Sequence, residues 1–278
     1  MIGAGIAAAA RLAARLPSAR SAGPEEVLAR LPGRGRRAWT AAFVNAHAFN
    51  LCAADAEAEA DFAAADLLLR DGVGVAILMK LAGRDPGRNL NGTDLIPRLA
   101  CAPGMRVAIY GGRPGVAEAA AMRLRGMGAE VVAARHGYHP LSAYEAWLQT
   151  DAGPEAQGGR GATLVILGMG APRQEHLARR LRDCAPAPVG ILCGGGVLDF
   201  LAGRASRAPR WMRRAGLEWL FRWGREPRRL FLRYMVGNPL FLLRALPAAA
   251  LMRRMEAEAP ERPEPEAEAA RSRRAMAA

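Results

Sequence analysis

The chain is poor in the residues from which many sites are built. Its 278 residues include four cysteines, four histidines and 6% aromatics. Cys52, Cys101, Cys184 and Cys193 are far apart and form no CxxC pair, so the expectation is small buried thiols in a reducing cytoplasm. His47, His136 and His139 lack a ligand spacing, which argues against a metal centre. There is also no Asp-x-Asp pair, the usual means of bringing a divalent ion to a nucleotide diphosphate. No apolar run approaches the roughly 20 residues that span a bilayer. The apolar opening MIGAGIAAAA is short, lacks a basic lead and runs straight into Arg11 and Arg15, unlike a secretory signal. A soluble or membrane-peripheral protein is expected, with Ala, Leu and Val filling a core that few aromatics can supply.

What the chain does have is arginine. The formal charge is +13, and eleven Arg between positions 204 and 244 are opposed only by Glu218 and Glu226, a local excess of nine positive charges. Three of the five Trp share this block. Such composition suits nucleic acid, an anionic membrane surface or a phosphorylated ligand. In GLEWLFRWGREPRRLFLRYMVGNPLFLL, Trp219, Phe221, Trp223, Phe231 and Tyr234 interleave with Arg222, Arg225, Arg228, Arg229 and Arg233. A helix of this kind can lie in a headgroup layer. The alternative is an ordinary docking helix whose arginine stems cover the sheet. A nucleic-acid helix ranks third, because the aromatics are clustered for burial rather than spread for stacking.

Four regions follow from the patterning. Residues 1–37 are Ala/Arg-rich and weakly patterned, with one helix expected at PEEVLARL (24–31). From 38 to 203 short apolar runs alternate with helical stretches: TAAFVNA, DLLLR, MRVAIYG, AEVVAA, ATLVILG and PVGILCG. That rhythm predicts a Rossmann-like α/β domain, a mainly parallel sheet with helices on both faces. A Gly-rich loop (150–162) interrupts it. Residues 204–255 read as a helical, membrane-associating appendage, and 256–278 as a disordered tail.

Ligands of an open parallel sheet sit beyond the carboxyl ends of its strands. Polar or glycine-rich clusters stand at such ends here: NAHAFN, RDGVG, GMGAPRQE and GGGVLDF. In GMGAPRQE, Gly168 and Gly170 allow a tight turn and close approach of a ligand, and Pro172 suits a first helical turn. The helix N-terminus then offers a phosphate unpaired N–H groups, and Gln174 can hydrogen-bond a ligand without adding charge. The spacing is not GxGxxG, so a dehydrogenase is disfavoured. Asp71 stands between LLLR and GVG, where helix capping and a general base are near-equal readings. For Asp94, in NGTDLIPRL, capping is favoured.

The assembled motifs resemble the WecG/TagA/CpsF family of bacterial glycosyltransferases over roughly residues 40–240. The resemblance is carried by FVNAHAFNLC, ADLLLRDGVGVAILMKLAG, NLNGTDLIPRL, RVAIYGGRPGVAEAAA, RHGYH, ILGMGAPRQEHL, GGGVLDFLAGRASRAPRWMRRAGLEWLFR and REPRRLFLRY. It implies an inverting, metal-independent transfer of an N-acetylmannosamine-like or related hexose. The donor is a UDP-sugar and the acceptor a sugar on undecaprenyl diphosphate. No cofactor and no nucleic-acid partner are implied, and the oligomeric state stays open, a homo-oligomer included. The place implied is the inner face of the cell membrane, in cell-surface or exopolysaccharide biosynthesis. By position, Asp71 is the catalytic base, Asn45, Gly168, Gly170, Gln174 and Asp199 form the donor pocket, and Arg222, Arg225 and Arg229 meet the diphosphate or the acceptor. Two departures stand out. Phe43 replaces a family Thr, whose role is vacant or moves to His47, and Asn89 replaces a family Arg. The alternative from another class is a non-catalytic nucleotide-binding membrane adaptor.

Overall fold

The computed structural model describes residues 2–16, 37–153 and 161–258. The helix expected at 24–31, most of the Gly-rich loop and the tail beyond 258 lie outside these residues. Each of the six apolar runs is a strand: β1 (Trp39–Val44), β2 (Leu67–Arg70), β3 (Arg106–Gly111), β4 (Glu130–Arg135), β5 (Leu164–Gly168) and β6 (Gly190–Cys193). They form one sheet in the order β2-β1-β6-β5-β3-β4, with every neighbouring pair parallel. The side-chain period of two divides them between two cores. Ala42, Val44, Tyr110, Leu167 and Cys193 face one side, with Phe49, Leu78 and Phe241. Phe43, Ile109, Ile166 and Leu192 face the other, with Ile96, Val116 and Leu198. Burial on both faces is why the strands read as unbroken apolar runs.

From β1 the chain moves outward to β2, then crosses to build the opposite half of the sheet. It returns last to insert β6 beside β1. The strand order therefore reverses at β1 and β6, and a crevice opens beyond their carboxyl ends. Around it stand α2 (Ala46–Ala54), α4 (Val73–Leu81), α5 (Gly92–Ala100), α8 (Arg173–Cys184) and α9 (Val197–Leu201). Between these in the chain lie α3 (Ala56–Ala63), α6 (Val116–Arg125) and α7 (Leu141–Ala152).

The two ends of the described chain pack together. Residues 2–14, which carried no helical expectation, form α1 (Ile2–Ala14). A Cβ on Gly5 would stand 2.1 Å from the Ala53 carbonyl oxygen, so a glycine is what lets α1 cross α2 this closely. Arg84 donates to the carbonyls of Ala14 and Leu16, both at 2.9 Å, and anchors the end of α1. After α10 (Arg210–Arg214) and α11 (Glu218–Arg225), the chain runs through α12 (Pro227–Phe231), a π-helical turn (Leu232–Val236) and α13 (Gly237–Glu258). Together the last three span 32 residues, long and apolar enough by length and composition to cross a membrane. The expectation of a soluble or membrane-peripheral protein is compatible with this helix, whose apolar stretch contains Arg244. One side of α13 belongs to the protein interior: Phe241 meets Phe49 edge-on at 5.3 Å, and Ala245, Ala248, Ala249 and Met252 are buried. Arg244 turns inward to the Asn50 carbonyl, at 3.2 Å. The other side exposes Leu232, Val236, Leu243 and Leu246.

Candidate active site

A cleft of about 180 Å³ opens at the sheet's switch point. Asn45, His47, Asp71, Gly170, Gln174 and Arg222 line it, and six of the ten residues named from sequence thus converge there. Gly168 ends β5 beneath it, packed so tightly that a Cβ would strike Leu198 at 2.3 Å. Asp199 sits on α9 between the lining residues Val197 and Phe200 but does not line the cleft. Arg225 and Arg229 are exposed outside it. Arg225 reaches Ser206 at 3.5 Å, and Arg229 pairs with Glu226 at 2.6 Å.

Asp71 follows the last residue of β2, and its N–H donates to the Val44 carbonyl at 2.9 Å. Asn45 caps α2, its Oδ1 accepting from the N–H groups of His47 and Ala48 at 3.1 Å each. That commitment turns its amide nitrogen outward, where it donates to Asp71 Oδ2 at 3.3 Å. Gly72, at φ 83°, needs the left-handed freedom of glycine. Its N–H donates to Asn89 Oδ1 at 3.0 Å, so Asn89 holds the turn bearing the carboxylate. Arg70, buried, donates to the carbonyls of Gly72, Pro86 and Gly87 and stiffens the same turn. Capping therefore does not account for Asp71, because its side chain faces the cleft. Asp94 is not the cap of α5 either: Asn91 caps it at 3.0 Å, while Asp94 binds Arg207 through both oxygens. Arg207 holds the Asp94 pKa down to about 2, and the pair ties the segment before α10 to the cleft rim.

Gln174 lines the cleft and also braces the turns around it. Its Oε1 accepts from Gly195 N at 2.9 Å and from Gly170 N at 3.3 Å. Its Nε2 donates to Glu175 at 2.8 Å and to the Cys193 carbonyl at 3.3 Å. All four hydrogen-bonding positions of the amide are used, so Gln174 fixes the shape of both glycine turns. Pro172 precedes α8 as its N-cap, after a cis Ala171–Pro172 peptide. Gln174→Ala would leave two N–H groups and a carbonyl unpaired. It is expected to destabilise the fold by about 2–4 kcal/mol, measurable as a lower urea midpoint.

The electrostatics come from the C-terminal segment. Arg222 lies over the Phe200 ring at 5.4 Å, and a Cβ on Gly196 would come within 3.2 Å of its guanidinium. Arg233, from the π-helical turn, lines the cleft as well. Burial lowers its pKa from the ordinary arginine value, with Tyr234 and Asp71 opposing. Burial, and then Arg233, lowers the His47 pKa to about 4, so this imidazole is neutral at pH 7. The sequence reading named Arg233 but gave it no place in the site. Its i, i+11 separation from Arg222 marks no common face across two helix breaks. Phe43, Thr93 and the Gly194–Gly196 turn complete the lining. Among the described residues no three His, Cys, Asp or Glu side chains converge to hold a metal ion. A family model described as "Glycosyl transferase WecG/TagA/CpsF family" matches residues 18–255.

Proposed function

The chain belongs to the WecG/TagA/CpsF glycosyltransferase family, and from that premise we propose an inverting, metal-independent transfer from a UDP-sugar to a sugar on undecaprenyl diphosphate. Membership makes it a glycosyltransferase of cell-surface polysaccharide biosynthesis. The observation that carries the finer reading is the pairing of Asp71 with two cleft arginines, Arg222 and Arg233. A carboxylate and fixed cations lining one cleft match a proton taken up and a pyrophosphate released. Asp71 accepts the proton of the acceptor hydroxyl as its oxygen attacks the anomeric carbon. The bond to UDP breaks on the opposite face, and Arg222 and Arg233 meet the charge. Neutral His47 offers a hydrogen bond to the sugar, standing in for the Thr replaced by Phe43.

A bilayer contact is supported by the exposed Trp211, Phe231, Leu232 and Leu243 alongside exposed Arg210, Arg214, Arg228 and Arg229. In this reading the protein works from the inner membrane face. Because Phe43 occupies the Thr position, a second reading remains, a nucleotide-binding adaptor without turnover. A thermal-shift series tests the donor. UDP at a hundredfold excess over its Kd should stabilise the fold by about 2.7 kcal/mol. No shift with UDP or any UDP-sugar would sink both readings. UDP binding without transfer to a lipid-linked acceptor would select the adaptor.

A further inference from the structure

Beside the cleft lies a small pocket of about 10 Å³, lined by Thr40, Asp61, Glu175, Arg179 and Cys193 among others, with room for one water. Glu175 lines both this pocket and the cleft. It is 2% exposed; its Oε1 accepts from Gln174, while its Oε2 is buried without a hydrogen-bond partner. Asp61, 4% exposed, has the cations to itself. Arg179 stands 3.2 Å from Oδ1, and His176 Nδ1 stands 3.1 Å from Oδ2, with Glu57 3.7 Å beyond. The other titratable neighbours are the thiols of Cys52 and Cys193, whose pKa values burial pushes up, so neither carries charge at neutral pH. Of the two buried carboxyls only Asp61 stands against cations, and its Oδ1, like Glu175 Oε2, has no hydrogen-bond partner. A second ionised carboxylate would stand unpaired in a low-dielectric interior.

We propose that Glu175 is a positioning residue held protonated at Oε2 towards Asp61, and that this neutral carboxyl, acting through Gln174, keeps the two glycine turns in place for the phosphates of a sugar nucleotide. Only one atom of Glu175 is needed by Gln174, and a neutral carboxyl supplies it as an acceptor. Burial raises the Glu175 pKa to about 7 from an ordinary 4.5. Between those values the folded protein keeps a proton that the unfolded chain has released. Stability from this group therefore falls as pH rises from about 4.5 to about 7, and above that the whole cost of a buried charge remains. The inference rests on the nucleotide reading for its binding arm alone.

Melting curves of wild type and Glu175→Gln from pH 5 to pH 8.5 test the proton. The amide copies the neutral carboxyl, so its melting temperature should exceed that of wild type by a margin that widens with pH, reaching about 3 °C or more at pH 8.5. A margin that is absent or constant across this range would overturn the assignment. UDP binding tests the positioning. Glu175→Gln should bind UDP within about twofold of wild type, and Glu175→Leu, which cannot hold the Gln174 amide, should lose about tenfold or more, equivalent to one broken buried hydrogen bond. Wild-type affinity in Glu175→Leu would overturn that part. If UDP fails to bind wild type at any pH, the nucleotide reading falls, and the melting series still decides the proton.

Discussion

Asp71→Asn is expected to lower kcat by about 10²–10⁴-fold, the usual contribution of a general base, while UDP still stabilises the fold as in wild type. The asparagine keeps the shape of the side chain, and its carbonyl oxygen can keep the contact from Asn45. Asn45 cannot rearrange, because its own oxygen is committed to the first N–H groups of α2. What disappears is the ability to take a proton. Single-turnover transfer to a lipid-linked acceptor, beside a UDP thermal shift, separates chemistry from binding. Turnover equal to wild type would remove Asp71 from the role.

The second large effect separates arginines that the sequence presents as equals. Arg222→Ala and Arg233→Ala should each lower kcat/KM by about 10²–10³-fold, as for loss of one preorganised donor to a developing anion. Arg229→Ala should cost less than about fivefold on a water-soluble acceptor, because its partner is Glu226 at the surface and surface pairs contribute little. The same Arg229 variant should bind anionic vesicles more weakly, by about 1 kcal/mol for one cation near the headgroups. If Arg229→Ala proves as damaging as Arg222→Ala on the soluble acceptor, the cleft is closed by a different set of cations.

The sheet was legible because burial on both faces leaves an apolar run that needs no partner to be recognised. All six strands, their parallel arrangement and the turns at their ends could be read from such runs and their glycines. Asp71 and Asn45 were legible for the same reason, since each immediately follows a strand. The selection among arginines was not. Arg222 and Arg233 enter the cleft because the chain breaks between α11 and α12, where Pro227 opens α12, and again at the π-helical turn, and neither break tells from sequence which arginines turn inward. The role of Gln174 was hidden because three of its four partners are backbone atoms, of Gly170, Cys193 and Gly195, two of which belong to a different strand end. The first helix was missed because alanines bury as readily as leucines where helices cross closely, yet show little amphipathic contrast.

The placing of β6 has a consequence for how the protein comes into being. The strand that completes the floor of the catalytic crevice, together with the arginines that close it, is made only in the last third of the chain. A nascent polypeptide that has emerged as far as α7 holds the carboxylate but neither the central strand beside β1 nor any cation to face it. A prematurely ended chain would therefore lack the cleft itself, whatever carboxylate it already carries.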